Sequence, residues 1–218
     1  MSIKIENIVP PSIPQWNKVI LSMRNPLNSW SKSDSGCDKS INPEEMIYYK
    51  IGPNDMDLMR RLANAGSDHR KFLRMLPVMM DVTAPLYWWK EADTYKVGTV
   101  ANSCSTMHKI HEKCFTIKDF SCEHLDEACL DVLQTVIIAL NYEREAYVQT
   151  KIKDHWWSMI QLLPSSYNQR RTLFLNYEVL WNMYNARKAH KLDEWVQFCN
   201  TIVLVVPYFA EIFEIEAT

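Results

Sequence analysis

The stretch "DHRKFLRMLPVMMDVTAPLYWWKEADTYKVGTVANSCSTMH", Asp68 to His108, carries most of the evidence about the fold. From Phe72 to Val82 it is mostly apolar, with one interruption at Pro77, which predicts a partly buried strand with an irregularity. "APLYWWKEAD" then has helical character and places Pro85 in a first turn, where proline is tolerated. We therefore predict a strand that leads directly into a short helix.

The end of this stretch, Thr99 to His108, contains no charged residue before its final histidine. Asn102, Ser103 and Ser105 offer neutral hydrogen-bond donors and acceptors close in sequence to paired tryptophans. Such a loop suits a flat, polar ligand that carries little charge. The alternative is a capped turn, in which Asn and Ser side chains bond to their own backbone.

Further helices are predicted on both sides of the central stretch. Asn54 to Gly66 forms a helix that Asn54 caps and that Gly66 closes in the left-handed conformation. Between Leu125 and Leu140, apolar residues at 125, 129, 132, 133, 136 and 140 predict a helix with one stripe facing a core. Two closing helices are predicted over "NYEVLWNMYNARKAH" and "LDEWVQFCNTIVLVV", although the Val-rich end of the second is also compatible with a strand.

The amino-terminal residues, up to about Ser40, are rich in Pro, Asn and Ser and are predicted to be irregular, apart from a short helix at Gln15 to Met23. No repeat or linker divides the chain, whose 218 residues are enough for one substantial core. We predict a single domain over residues 1–218, with the irregular segment 1–50 included. Its class is α/β of the α+β type, in which a small, mostly antiparallel sheet is packed with several helices.

The composition limits the classes of function. Hydrophobic residues make up 47% and charged residues 23% of the chain, and the net charge is −2, which argues against binding of a nucleic-acid polymer. No apolar run reaches the length of a bilayer span and no secretory signal is evident, so we predict a cytoplasmic protein with free thiols and no membrane partner. The four glycines are too dispersed for a phosphate-binding glycine loop.

Cysteine and histidine are concentrated in "CSTMHKIHEKC". If its first part were helical, Cys104, His108 and His111 would share a face and could bind zinc. The spacing matches no common zinc module and contains no Cys-x-x-Cys pair, so the prediction is that no metal is bound. Cys104 could also act as a nucleophile, but no feature of the sequence identifies a base oriented towards it, so this alternative stays open.

As a unit, the central stretch resembles the flavin-dependent thymidylate synthases, the ThyX-type family. Those enzymes have a His, a strand, a helix that begins with "AP", a Gln, an Arg-His-Arg triplet and the loop S-x-N-E-x-S-x-R. His69, Ala84–Pro85, Asn102 and Ser105 match that pattern here.

The resemblance extends towards the carboxyl terminus. "LPSSYNQR" matches a Leu-Pro that is followed by an Arg, which is Arg170 here. "NAR", Asn185 to Arg187, matches a flavin-contacting Asn-x-Arg, so that the resemblance spans Gly66 to Phe198. It implies FAD as cofactor and a homo-oligomer, a tetramer by analogy, with sites between subunits. The cofactor-binding residues it implies are His69, Lys96, Asn102, Asn185 and Arg187, and the substrate-binding residues are Glu91, Ser103, Ser105 and Arg170.

Several positions depart from the family pattern. The Arg-His-Arg triplet is Thr94-Tyr95-Lys96, and the preceding Gln is Glu91. The loop's Glu is Ser103, its closing Arg is Met107, and the late Arg that activates the pyrimidine has no counterpart. A nucleotide monophosphate brings about two negative charges, for which Arg forks are the usual clamp. We therefore expect poor binding of deoxyuridine monophosphate, with repulsion from Glu91 added.

Two hypotheses follow from these matches and departures. In the first, the protein is a divergent enzyme that uses reduced FAD to transfer a one-carbon unit from methylenetetrahydrofolate to a pyrimidine nucleotide. In the second, catalysis is lost and the fold serves as a nucleotide-binding or protein-interaction module, a reuse that a phage, other viral or mobile-element origin would suit. The residues assign no catalytic group and leave both hypotheses open.

Overall fold

The longest strand pairing of the protein joins residues 77–85 to residues 168–176. In the computed structural model, which describes residues 3–37 and 49–216, these segments pair antiparallel over nine positions, from Pro77 opposite Asn176 to Pro85 opposite Asn168. The described residues form a four-stranded antiparallel sheet in the order β1-β4-β6-β5 and a small pair, β2-β3. The strands are β1 Lys4–Val9, β2 Gly36–Cys37, β3 Tyr49–Lys50, β4 Pro77–Pro85, β5 Val100–Ser103 and β6 Asn168–Asn176.

The two faces of the four-stranded sheet differ in burial. Val78, Met80 and Val82 of β4 are fully covered, as is Leu175 of β6, whereas Phe174 on the other face is exposed. We call the covered side the helix face and the other side the open face. Helices lie on the first: α1 Ile13–Met23, α2 Pro53–Asn64, α3 Leu86–Ala92, α6 Tyr177–Arg187, α7 Asp193–Val205 and α8 Phe209–Phe213 all contribute side chains to this core.

A second, smaller core lies beside the first. It is formed by α4 Glu127–Thr150, by α5 Lys153–Leu162 and by the loop at 110–120. Short 3-10 turns occupy Asn25–Leu27, Trp30–Lys32, Arg70–Met75 and Ile117–Asp119. No helix in the described part of the chain has the length and apolar character required to cross a bilayer.

The predicted fold class is confirmed, while the boundaries of several elements were wrong. Phe72 lies in a 3-10 turn rather than in the strand, and Pro85 ends β4 and precedes α3 instead of standing in its first turn. The segment predicted to be irregular contains β1, whose edge pairing with β4 cannot be inferred locally, and α1, which starts earlier than expected. The prediction of one domain over the whole chain stays a prediction.

Helix α2 also starts differently from the prediction. Gly52, whose backbone is extended, is its N-cap and Pro53 its first residue, and the carboxylate of Asp34 accepts the backbone N–H of Asn54 at 2.9 Å. Gly66 does adopt a positive φ of 105° just after the helix. The Val-rich end of α7 is helical as far as Val205.

The apolar stripe predicted for 125–140 was partly wrong. Leu133 and Leu140 are buried, and so is Ile137, which the prediction omitted. Val132, which it included, is 65% exposed, and Leu125 precedes the helix. The error arose because α4 is apolar on more than one side, so periodicity alone does not identify the side that enters the core.

A buried carboxylate ties the amino-terminal loop to α2. Asp55 is fully buried and accepts hydrogen bonds from Arg24 Nε at 2.6 Å and from the hydroxyls of Ser33 and Ser35 at 2.8 and 2.7 Å. The backbone N–H groups of Asp34 and Ser35 donate to it as well. Burial raises the pKa of Asp55, but the hydrogen bonds from these serines and Arg24 outweigh it, so the net pKa lies below its usual value.

We expect Asp55→Ala to lower the free energy of unfolding by about 3–5 kcal/mol, because Arg24 would remain buried without its counterion. Asp57→Ala is the matched control, since its ion pair with Arg61 is exposed and worth at most about 0.5 kcal/mol. Urea unfolding monitored by circular dichroism measures both. Equal losses in the two variants would contradict the role of Asp55.

The same contact makes stability depend on pH. Because the folded pKa of Asp55 is lowered, its contribution is complete above the unfolded pKa of about 4 and is lost as the pH falls through the folded value. Between neutral pH and a pH of about 3, we expect the free energy of unfolding of Asp55→Ala to decrease less than that of the wild type. If the free energy of unfolding decreased by the same amount in the two proteins over this pH range, the linkage to Asp55 would be refuted.

Candidate ligand-binding site

An ion pair on the helix face joins two of the residues that sequence reasoning assigned to a ligand. Nη1 of Arg187, at the end of α6, lies 2.8 Å from Oε2 of Glu91 in α3. The indole N–H of Trp195 donates to the same carboxylate at 3.0 Å, and Nε2 of His190 is 3.4 Å away. Glu91 thus forms an ion pair with a cation of its own chain, and the repulsion of an anionic ligand expected from it stays a prediction.

Arg187 is surrounded by partners from its own chain. Its Nε donates to the hydroxyl of Tyr95 at 3.1 Å, and its guanidinium lies 5.1 Å from the ring centre of Trp195. The side chain is 20% exposed. A partly buried guanidinium with a carboxylate, a hydroxyl and an aromatic ring has little charge left to attract an anionic ligand.

Strand alternation places the two arginines of β6 on opposite faces of the sheet. Arg170 extends over the open face, where its Nη2 donates to Asp81 at 2.6 Å. Arg171 lies on the helix face, 2.7 Å from Asp93 and 4.2 Å from the ring centre of Trp89. Both guanidiniums are therefore paired with carboxylates of the same chain.

Asp81 is the acceptor at the centre of the open face. It accepts hydrogen bonds from Asn7 Nδ2 at 2.8 Å and from Thr172 Oγ1 at 2.5 Å, in addition to the one from Arg170. These three donors, in the order Asn7, Thr172 and Arg170, lower the pKa of Asp81 to about 2. Arg170 thus contacts a permanent anion at neutral pH.

A third carboxylate, Glu178 at the start of α6, pairs with the arginines that follow His69. Arg74 donates to it through Nε and, at 3.3 Å, through Nη2, and Nε of Arg70 lies 3.6 Å away. His69 itself is exposed at the beginning of the 3-10 turn that carries both arginines. The guanidiniums nearest to this predicted cofactor residue are consequently neutralised.

A cavity of about 300 Å³ lies on the helix face between α3, β5 and α6. Its wall is mostly apolar, and it includes Lys96, to whose ammonium no described residue is paired. Thr99 Oγ1 is buried there without a hydrogen-bond partner among the described residues. The cavity thus offers one cation and one hydroxyl that are not paired with a described residue, whereas Asp93 and Tyr95 in its wall are paired with Arg171 and Arg187. Its other lining residues are Trp89, Ala92, Asp93, Tyr95, Ala101, Leu173 and Met183.

A wider groove of about 740 Å³ is separated from this cavity by the turn before β5. Thr99 borders both spaces. Gly98 has a φ of 76°, and a Cβ at this position would come within 2.8 Å of Asn176 Nδ2. Glycine is therefore required for this turn, which holds Lys96 at the cavity.

The polar loop after this turn behaves mostly as a strand and a capped turn. Asn102 and Ser103 lie in β5 opposite Thr172 and Arg171 of β6, and both are exposed. Ser105 Oγ accepts the backbone N–H groups of Met107 at 3.3 Å and His108 at 2.9 Å, as the capped-turn alternative predicted. These contacts are within the chain, and a ligand-binding role for the loop stays a prediction.

The possible zinc face depended on a helix that does not form. Residues 104–113 are turns and loop, so Cys104, His108 and His111 do not share a helical face. Within residues 3–37 and 49–216, no group of three or more His, Cys, Asp or Glu side chains is placed to hold a metal ion. The cysteines are free, and Cys104 is exposed.

The predicted ligand residues are thus distributed over several surfaces of one chain. Glu91 and Arg187 form an ion pair on the helix face, and Tyr95, which contacts Arg187, lines the cavity together with Lys96. Asn102 and Arg170 belong to the open face, while Asn185 is exposed on α6 and His69 precedes the 3-10 turn. A site containing all of them would require neighbouring copies of the chain, and their roles stay predictions.

Sequence reasoning missed the carboxylates that neutralise the arginines. Asp81, Asp93 and Glu178 have no motif, and each is far in sequence from its partner. The alternating pattern of "NQRRTLFLN" was a usable signal, because in a strand it places Arg170 and Arg171 on opposite faces of the sheet before any contact is known. The partners themselves follow only from the strand register.

Comparison with solved structures identifies the fold. The chain superposes on flavin-dependent thymidylate synthase ThyX from Helicobacter pylori, whose structures were determined with FAD and dUMP. The TM-score is 0.65 with 17% sequence identity, over 98% of this chain and 96–97% of the other. The sequence matches no protein-family model and no curated protein. The fold is therefore that of ThyX.

We expect Arg170→Gln to raise the pKa of Asp81 from about 2 while leaving it below the ordinary aspartate value, because Asn7 and Thr172 still donate to the carboxylate. Carbon-detected NMR titration of the aspartate side chains measures this value. Arg61→Gln, which removes a surface guanidinium from another aspartate, should leave Asp81 unchanged. If the pKa of Asp81 were the same in Arg170→Gln as in the wild type, Arg170 would not be paired with Asp81 in solution.

Proposed function

We propose that this protein is a catalytically inactive relative of the ThyX fold that binds a flat ligand with little negative charge. The observation that carries the proposal is the ion pair between Glu91 and Arg187. It neutralises the arginine that was predicted to bind the cofactor, and the other arginine described on this face, Arg171, is paired with Asp93.

The internal pairs compete directly with an anionic ligand. A phosphate that approached Arg187 would have to displace a carboxylate held at 2.8 Å and would itself be repelled by that carboxylate. Asp81 and Asp93 impose the same competition at Arg170 and Arg171. A charge-assisted hydrogen bond contributes about 1.5–3 kcal/mol, so the loss of two or three such contacts weakens nucleotide binding by orders of magnitude.

The cavity beside Lys96 supports a small ligand. Its volume of about 300 Å³ is at the lower limit of typical ligand sites, and its wall is mostly apolar. Trp89 and Tyr95 provide aromatic surface, and Thr99 Oγ1 provides an unused polar group. This combination favours a planar molecule with one or two polar atoms over a dinucleotide.

FAD does not fit the residues of a single chain. Its diphosphate carries two negative charges, while Arg187 is paired with Glu91, and His69, Lys96 and Asn102 lie on elements other than the helix of Asn185 and Arg187.

A second candidate function is retained FAD-dependent activity of the thymidylate synthase type. The specific observation in its favour is the unpaired ammonium of Lys96 at the mouth of the cavity, within the described part of the chain. This candidate requires a homo-oligomer, a tetramer by analogy, in which neighbouring chains complete the site. We propose such self-association for either function.

We expect wild-type protein to show no saturable binding of dUMP at concentrations up to about 1 mM, which corresponds to about −4 kcal/mol. Glu91→Gln should tighten binding at least about tenfold, because it releases the charge of Arg187 while a side-chain oxygen remains for Trp195. Isothermal titration calorimetry measures both proteins. Glu112→Gln, which makes the same change at an exposed salt bridge, controls for net charge.

The outcomes separate the two functions. Micromolar binding of dUMP by the wild type, together with flavin absorbance in the purified protein and formation of thymidylate, would establish the second candidate and refute the first. Equal affinities in Glu91→Gln and Glu112→Gln would show that the ion pair does not control anion binding. A colourless protein that ignores FAD and dUMP agrees with the inactive module.

A further inference from the structure

Helix α4 has a second apolar stripe on the side away from its core. Val132 and Tyr142 on this side are 65% and 69% exposed, and Ile138 at its margin is 65% exposed. Surface helices normally present charged residues to solvent on the side opposite their core. We call this side the outer stripe; its residues are Ala128, Val132, Thr135, Ala139, Tyr142, Ala146 and Gln149.

The spacing of the outer stripe is that of a coiled-coil seam. Its residues follow one another at alternating intervals of four and three, so each pair of steps adds up to a heptad. The stripe extends over 128–149, about 33 Å at 1.5 Å per residue, and contains no residue that is charged at neutral pH. An uncharged stripe of this length along the exposed side of a helix is a surface that a second helix can cover in a coiled coil.

The alternation of residue sizes fits an antiparallel copy of the same helix. Tyr142 is the largest residue of the stripe and lies one step from Ala139. In a parallel pair, Tyr142 would meet its own counterpart and the two alanines would leave a void. In an antiparallel pair centred between residues 140 and 141, Tyr142 packs on Ala139 of the second copy and Thr135 on Ala146.

Charge also favours this antiparallel register. Asp131, at the margin of the stripe, then lies level with Thr150 and Lys151 at the far end of the second copy. A register shifted by one heptad would move Asp131 away from Lys151 and bring it level with Glu143 and Arg144, so this opposite-charge contact would be lost. The helix dipoles are opposed in an antiparallel pair, which stabilises it further.

We propose that two copies of this protein associate through the outer stripe of α4, antiparallel about a two-fold axis, with Tyr142 of each copy packed on Ala139 of the other. The proposal rests on the self-association put forward above and adds the surface that mediates it. A two-fold contact of this kind is self-complementary and closed. It also gives a reason for the exposed apolar residues of α4, which the single chain leaves uncovered.

Molar mass measured by light scattering after size exclusion tests the surface. Ala139→Arg places a charge in the middle of the seam and is expected to halve the mass of the wild-type assembly. Gln134→Arg, an exposed position of the same helix off the stripe, is the matched control and should leave the mass unchanged. Far-UV circular dichroism must show equal helix content in both variants.

A size-swap series tests the register. Ala139→Tyr alone is expected to dissociate the pair, since tyrosines would then meet at the centre, and the double variant Ala139→Tyr with Tyr142→Ala should restore it. A wild-type monomer would overturn both the surface and the self-association. A wild-type oligomer whose mass is unaffected by Ala139→Arg, or a swap without rescue, would overturn the surface alone.

Discussion

The antiparallel pairing of β4 with β6 is the constraint on which the rest of the structure depends. Nine residue pairs hold the two strands together, and a helix starts directly after each strand, α3 at Leu86 and α6 at Tyr177. Because the strands run in opposite directions, these helices start from opposite ends of the pair and return over the same face. Glu91 and Arg187 meet there although they are far apart in sequence.

The same pairing decides how each charge is satisfied. It sends Arg170 to Asp81 on the open face and Arg171 to Asp93 on the helix face. Each guanidinium thereby gains a carboxylate of its own chain, and in each pair one partner is about half exposed and the other largely buried. We propose that their main effect is on recognition, since a surface whose cations are already paired discriminates against anionic ligands. The fold is shared with ThyX, while these internal ion pairs belong to this chain.

The sequence predicted the fold class because the strand at 77–85 and the helix after it have strong local patterns. β1 was missed because it is an edge strand in a Pro- and Asn-rich segment, and its pairing with β4 is long-range. Glu91 and Arg187 were both recognised as candidates, yet their contact depends on the register of strands between them. The apolar side of α4 was misassigned because two sides of that helix have apolar periodicity.

Within the chain, the guanidinium of Arg187 is paired with Glu91 and donates to the hydroxyl of Tyr95, and this pairing can be observed directly. The most direct measurement is the Arg187 Nε–H signal in ¹⁵N NMR, assigned with Arg187→Gln, during titration with inorganic phosphate. We predict a slowly exchanging proton whose chemical shift does not change as phosphate is added. A shift that saturates with phosphate would contradict the account, because it would show a guanidinium free to bind an anion.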